Sequence, residues 1–224
     1  MATVDKLRRS KAYVTLNGVN LLATHMMNLV SYEIGSPVPL VKIITVPGRP
    51  GNLDATLALN GKVNYVSRPI TARFHIRNNP YDAWHTKLST LLKLFDGVES
   101  KMVFSTDPDW YYKGRFTFEL EKTSEVSSFI TLTCDDAFPY KLEDITVSDT
   151  ISGSKYVYCT GKDYNGTVTI YSSSSSMSVR FGSQTYQLRS GNNVIREIHL
   201  SSGSNSLYFT GTGSVRITYE RGVL

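Results

Sequence analysis

Tyr13-Val14-Thr15-Leu16-Asn17-Gly18-Val19-Asn20-Leu21-Leu22 sets two extended runs around an Asn-Gly pair. A type I′ turn needs positive φ at both central positions, and Asn-Gly tolerates that best, so the segment predicts a β-hairpin near the start of the chain. Working outward, apolar and polar residues tend to alternate over 29–34, 41–46, 70–76, 101–104, 115–121 and 129–133. That period of two predicts antiparallel strands with one buried face.

One segment breaks this rhythm. Trp84, Leu88, Leu91, Leu92 and Phe95 fall at i, i+4, i+7, i+8 and i+11, with Asn79 as a cap, Pro80 at the first helical position and Gly97 placed to end the run. This predicts an amphipathic helix whose apolar stripe packs on the sheet, with Asp82, His85, Lys87 and Lys93 on the opposite side.

The composition excludes several classes. The chain has 224 residues, 41% of them hydrophobic, which is enough for a core and argues against disorder over most of its length. No apolar run approaches the roughly 18 residues of a membrane span, and no apolar region with a cleavage site follows the N-terminus, so no membrane insertion is expected and folding is expected in a cytoplasm. Cys134 and Cys159 lie 25 positions apart with no Cys or His at ligand spacing, and are expected to be two separate reduced thiols. The net charge of +5 is mild. The one basic cluster, Lys6, Arg8, Arg9 and Lys11, reads equally as a solvated end or as a contact with phosphate or a neighbouring subunit.

Composition also changes along the chain. Residues 1–142 hold 17 basic and 13 acidic residues, whereas 143–224 hold 7 and 6 and are rich in Ser, Thr, Gly, Asn and Tyr. Pro139 ends the preceding strand because it has no N–H to donate, so two domains are expected with a boundary near 142. In the second, short β-rich runs recur at 155–159, 167–171, 177–181, 185–188, 193–200, 206–209 and 215–219, which predicts a two-sheet antiparallel sandwich or jelly roll. The serine run 172–176 reads as a mobile hairpin tip and Asn165-Gly166-Thr167 as a hairpin turn. The fold class expected is therefore mainly β: an α+β N-terminal domain, 1–142, built as an antiparallel β-sandwich with one amphipathic helix, and a C-terminal antiparallel β-sandwich of lectin or jelly-roll type, 143–224.

No nucleophile elbow, P-loop, zinc-protease or dinucleotide fingerprint is present. His25, His75, His85 and His199 share no metal-binding spacing. Glu119 and Glu121 share a predicted strand face with Arg115, near the Asp107-Pro108-Asp109 turn, and a charged outer sheet face accounts for them without catalysis. No catalytic residue, metal or cofactor is expected. Tyrosines carry more information. Tyr156 and Tyr158, the candidate glycan contacts, alternate with Val157 and Cys159, so an exposed phenolic face there would mark a binding surface able to stack on sugars or bases, whereas a buried one would be core.

Several pieces of residues 43–140 occur in a telling order: Pro47-Gly48-Arg49-Pro50-Gly51-Asn52-Leu53-Asp54 after a strand, the strand Arg73-Phe74-His75-Ile76, the helix with Trp84, Asp107-Pro108-Asp109-Trp110-Tyr111-Tyr112-Lys113-Gly114-Arg115, and Cys134-Asp135-Asp136-Ala137-Phe138-Pro139-Tyr140-Lys141. This series resembles the distal tail protein family of long-tailed, non-contractile bacteriophages and their prophages. The resemblance implies a virion tail-tip protein, synthesised in the cytoplasm of a host bacterium, whose six copies form a ring. It implies tail tube protein on one side and tail-tip hub protein on the other as partners, with DNA passing through the channel without specific binding. The second domain carries no matching motif, and its assignment follows from its place after the ring domain, where relatives often have a lectin-like sandwich. The motif residues suit an architectural task. Pro47, Gly48, Pro50 and Gly51 shape a tight excursion that can lie against a neighbour, within which Arg49 and Asp54 are expected to pair. In a regular strand, Tyr111, Lys113 and Arg115 share one face and Tyr112, Gly114 and Phe116 the other.

Overall fold

A computed structural model describes residues 12–58, 61–77, 81–122, 124 and 127–224, with 81–84 and 122 described as backbone. Asn79, Pro80, the side chains of Asp82 and Trp84, and the basic cluster Lys6, Arg8, Arg9 and Lys11 lie outside the described residues. The chain divides into two units, Met1–Pro139 and Tyr140–Leu224.

Unit 1 opens with the expected hairpin, β1 (Val14–Leu16) and β2 (Val19–Asn20), turned by Asn17 at φ 49° and Gly18 at φ 81°. The second arm is shorter than expected because Asn20 caps a helix. Its side-chain oxygen accepts from the N–H groups of Leu22 and Ala23 at 3.0 Å, and α1 (Leu21–His25) follows, closed by Met26 at φ 57°. After it come β3 (Met27–Ile34), β4 (Ile43–Ile44), β5 (Leu53–Asp54), β6 (Arg68–Arg77), α2 (Tyr81–Phe95), β7 (Glu99–Phe104), β8 (Tyr112–Arg115), β9 (Thr117–Lys122) and β10 (Ser127–Ala137).

Two four-stranded antiparallel sheets, β2-β1-β7-β8 and β3-β6-β10-β9, enclose one core. Val14, Leu16, Met102 and Phe104 enter it from the first sheet, and Ile70, Phe74, Ile76, Ile130 and Leu132 from the second. Leu91 and Phe95 of α2 complete it, and Gly97 (φ 66°) turns the chain beyond the helix, its N–H donating to the Phe116 carbonyl at 2.9 Å. The strand expected over 115–121 is broken at Phe116, whose ring is fully buried. Arg115 and the Glu119/Glu121 pair therefore do not share a strand face. Arg115 donates to the Gly97 carbonyl at 2.9 Å, while Glu121 pairs with Arg73 at 2.8 Å.

Unit 2 is built on a ribbon. Strands β11 (Lys141–Gly161) and β17 (Gly203–Val223) pair antiparallel over their full 21 residues. The ribbon carries Gly153 at φ 83° opposite Gly211 at φ 110°, and Gly213 nearby, where only glycine adopts the backbone without strain. On either side of these glycines β17 offers its second edge to different partners: β13 (Val168–Ser172) takes 215–218 and β14 (Ser178–Phe181) takes 208–210. Strand β12 (Tyr164–Asn165) pairs with β17, β15 (Gln184–Gln187) extends β14, and β16 (Gly191–Ile195) extends β13. The two halves share one core, with Val157, Cys159, Leu207 and Phe209 from one and Val168, Ile170, Ile217 and Tyr219 from the other.

The Tyr219 hydroxyl closes these halves together, accepting from the Thr160 N–H at 3.0 Å and donating to its carbonyl at 3.1 Å. The runs 206–209 and 215–219, expected as two strands, are one, and position 142, near which the boundary was expected, lies inside β11. The serine run is tied down rather than loose: Ser172 is buried and its hydroxyl donates to the Ser174 carbonyl at 2.7 Å. Asn165 is not a hairpin turn but a staple, bonded to Lys162 N–H and carbonyl at 2.9 and 2.8 Å and to the Leu200 carbonyl at 3.1 Å.

Gly114 shows how closely the sheets of unit 1 approach. A Cβ there would lie 2.6 Å from the Cys134 sulfur and 3.2 Å from the Ala137 backbone. Gly114→Ala is expected to lower stability by about 1–3 kcal/mol in urea denaturation, and an unchanged midpoint would refute that close approach.

Candidate functional site

Between β3 and β6 the chain leaves the core as an arm. Its two legs are joined by hydrogen bonds from Val38 N–H to Ser67 O (2.8 Å), Val66 N–H to Val38 O (2.9 Å) and Leu40 N–H to Asn64 O (2.7 Å), and farther out by the β4–β5 pair. None of its described residues from 35 to 67 is buried. Ten large apolar side chains are nonetheless carried there: Val38, Leu40, Val41, Ile43, Ile44, Val46, Leu53, Leu57, Val63 and Val66 are each at least 36% exposed. Exposed apolar residues scattered singly are ordinary, whereas ten on one two-legged ribbon make it a candidate interaction surface. The same stretch carries three cations, Lys42, Arg49 and Lys62, and one carboxylate, Asp54.

The family-like motif residues fall in three places. Pro47, Gly48, Arg49, Gly51, Leu53 and Asp54 form the turn and return strand of the arm, with both glycines at φ 79°. Arg49 and Asp54 do not pair. Asp54 is held below the usual carboxylate range by hydrogen bonds from Thr56, whose N–H donates to it at 2.8 Å. Asp107, Asp109, Tyr111, Tyr112, Gly114 and Arg115 lie in and after the turn that leads from β7 into β8. Tyr112, Gly114 and Phe116 alternate inward as expected, but Tyr111 is also buried, with the Lys101 ammonium 4.2 Å from its ring centroid. Pro139 is buried, and Tyr140 begins unit 2, stacked on Tyr164 at 5.6 Å.

On unit 2 the phenolic alternation is realised as exposure. Tyr156 and Tyr158 are 49% and 63% exposed, whereas Val157 and Cys159 are buried. Register supplies neighbours that alternation alone could not name: Tyr208 lies opposite Tyr156, their rings 4.7 Å apart, and Arg180 lies opposite Tyr208, its guanidinium 4.9 Å from that ring.

The titratable groups with shifted ionisation are scattered. Burial, and then the charge of Lys87, lowers the His25 imidazole, and burial alone lowers Lys87. Burial raises Cys134 and Tyr219 and pushes Cys159 up to about 11. A hydrogen bond from Lys155 holds Asp149 low. Among the described residues no three metal-ligating side chains gather. Apart from the neighbours His25 and Lys87, and Cys159 and Tyr219, the shifted groups lie apart, and burial or local hydrogen bonds account for each.

No family model and no curated protein sequence matches the chain. Its structure is similar to that of the SPP1 Dit (gp 19.1) protein, described as a paradigm of the hub adsorption apparatus in phages infecting Gram-positive bacteria, at a TM-score of 0.54 and 12% identity over 95% of this chain and 99% of that one. The fold is thus Dit-like. A likeness to a conserved protein of unknown function from Pseudomonas aeruginosa PAO1 has a TM-score of 0.31 at 10% identity, over 87% of this chain and 100% of that one, too slight to bear on the fold.

The thiols give a pH-linked expectation. With a folded value near 11, the Cys159 thiolate at pH 8 is about one part in a thousand. Both buried thiols should resist a disulfide reagent such as DTNB at pH 8 and react together once the chain is unfolded. The native state keeps protons that the unfolded chain releases, so stability should fall as pH climbs from about 8.5 toward 11. Rapid labelling of the native protein would refute this.

Proposed function

We propose that the chain is a structural, non-enzymatic subunit of a phage tail tip, whose copies form a hexameric ring joining the tail tube to the tail-tip hub and the receptor-binding apparatus. The first domain, expected over 1–142 and ending at Pro139 where the chain divides, is the ring-forming part, and the unit that follows it is the outer β-sandwich. The observation that carries the reading is the arm at 35–67, with its ten exposed apolar side chains and no core of its own. The Dit-like fold supports the same class of role. A closed ring needs a heterologous contact, one patch binding a different patch on the next copy, and an arm reaching from one subunit onto its neighbour supplies it.

Covering an apolar side chain completely is worth roughly 1.5–3 kcal/mol. Partial cover of ten of them therefore suffices to drive association against its entropic cost. Double-stranded DNA is to pass such a ring without being gripped. The pairing of Arg73, Lys113, Lys155, Lys162 and Arg221 with carboxylates is consistent with a bore that does not bind it.

Light scattering of the full chain tests this. A particle of six times the 25.0 kDa chain mass is expected, alone or on addition of hub protein. Val41→Asp combined with Ile43→Asp should abolish it while moving the unfolding free energy by no more than about 0.5 kcal/mol, as for other exposed sites. A chain that stays monomeric at high concentration and with both tail partners would overturn the reading. The exposed Tyr156 and Tyr158 favour a second, compatible reading for unit 2: recognition of cell-surface carbohydrate.

A further inference from the structure

We propose that the row Tyr156, Tyr208 and Arg180 on the outer face of unit 2 is a platform for an anionic glycan, a sugar chain bearing carboxylate or phosphate. The inference rests on the carbohydrate reading of unit 2 and adds to it a defined place and a charge requirement. In register, Tyr156 of β11 faces Tyr208 of β17, Tyr208 faces Arg180 of β14, and Arg180 faces Thr185 of β15, so the row crosses four strands of one sheet face. The neighbouring positions on that face are hydroxyl-bearing. Ser206 lies opposite Tyr158, and Ser178 opposite Thr210 with their hydroxyls 2.6 Å apart.

Charge selects the ligand. The stretches 154–161, 178–187 and 203–210 contain no Asp or Glu, and their only cations are Lys155 and Arg180. Lys155 alternates away from Tyr156 along β11 and is tied to Asp149 at 2.7 Å, which leaves Arg180 as the cation of the outer face. It is exposed, and its stacking against Tyr208 holds a planar guanidinium beside the phenol rings.

Phenol rings offer apolar area to the C–H faces of a pyranose, and the flanking hydroxyls can exchange hydrogen bonds with its own. A neutral sugar would leave the guanidinium without a counter-charge, whereas a carboxylate or phosphate accepts its paired N–H groups. A nucleic acid strand would also stack on tyrosine, but tracking its backbone takes a line of cations, and the outward positions of these three stretches hold one.

Biolayer interferometry on the full chain tests the proposal, with alginate oligosaccharide and phosphomannan as carboxylate and phosphate probes, neutral mannan as the uncharged control, and oligothymidylate as the nucleic acid control. One or both charged glycans should bind about tenfold or more tightly than neutral mannan, a difference typical of one charge-assisted contact. Tyr156→Ala should weaken them about tenfold. Arg180→Gln should erase the preference for charge, and Arg180→Lys should retain part of it. Equal binding of charged and neutral glycans, or charged-glycan binding indifferent to both Tyr156→Ala and Arg180→Gln, would overturn the inference and leave the carbohydrate reading standing. Absence of binding to any glycan would remove both. Tighter binding of oligothymidylate, or a changed light-scattering mass in Arg180→Gln, would also overturn it, by marking the face as a nucleic acid or subunit contact.

Discussion

Apolar side chains must be held away from water, and the two units meet that demand within themselves while the arm between β3 and β6 does not. In unit 1, Phe74, Ile76, Leu132 and their neighbours are sealed between two sheets and α2. In unit 2, Phe209, Ile170 and Ile217 are sealed between two halves of a glycine-jointed ribbon. The arm has backbone pairing but no second layer, so Val41 and Ile43 remain open to solvent at 59% and 50%. The units hold their folds by burial within the chain. The arm's energetic deficit is available to a contact outside it, and on this asymmetry the assembly reading depends.

The ribbon of β11 and β17 solves a second problem, the exposure of sheet edges. A long strand that pairs on one side with a partner of equal length, and on the other with the three short strands β12, β13 and β14, contributes an interior strand to each half. Gly153 and Gly211 stand opposite each other, and both occupy backbone that favours glycine, so another residue at either would strain the ribbon. At Gly211 a Cβ would also meet the Ser176 carbonyl at 2.8 Å. The closed ends are held by polar groups: Tyr219 on Thr160, and Arg221 on Glu143 at 2.7 Å.

The ionisable groups play supporting parts. Cys134 and Cys159 sit in separate cores and are made less acidic by burial, which gives thiols that pack rather than react. His25 is edge-on to Phe95, and burial, then the charge of Lys87, makes its imidazole harder to protonate than usual. These shifts follow from packing in different regions, so chemistry at a reactive centre is not needed to explain them. The surface features with unmatched potential are geometric instead: an apolar arm on one unit, and on the other a tyrosine face with a single cation.

Local rules were sufficient for much of the architecture. Asn17-Gly18 turned as their backbone preferences require, the stripe ending in Leu91 and Phe95 buried on a helix, and the alternation around Tyr156 and Tyr158 exposed the rings while Val157 and Cys159 went inward. Mainly antiparallel β structure was legible from period and turn chemistry alone. Prolines at 37, 39, 47 and 50 were a signal that 35–50 could not be central sheet, yet the apolar run 41–46 read as a strand, of which Ile43–Ile44 pairs. Asn20 capping a helix, Phe116 splitting a strand, and the joining of 206–209 to 215–219 were settled by competition among neighbours distant in sequence. The Tyr156, Tyr208 and Arg180 row belongs to the same category. Periodicity assigns a residue to a face, but only the pairing register between strands decides which residues of that face stand side by side.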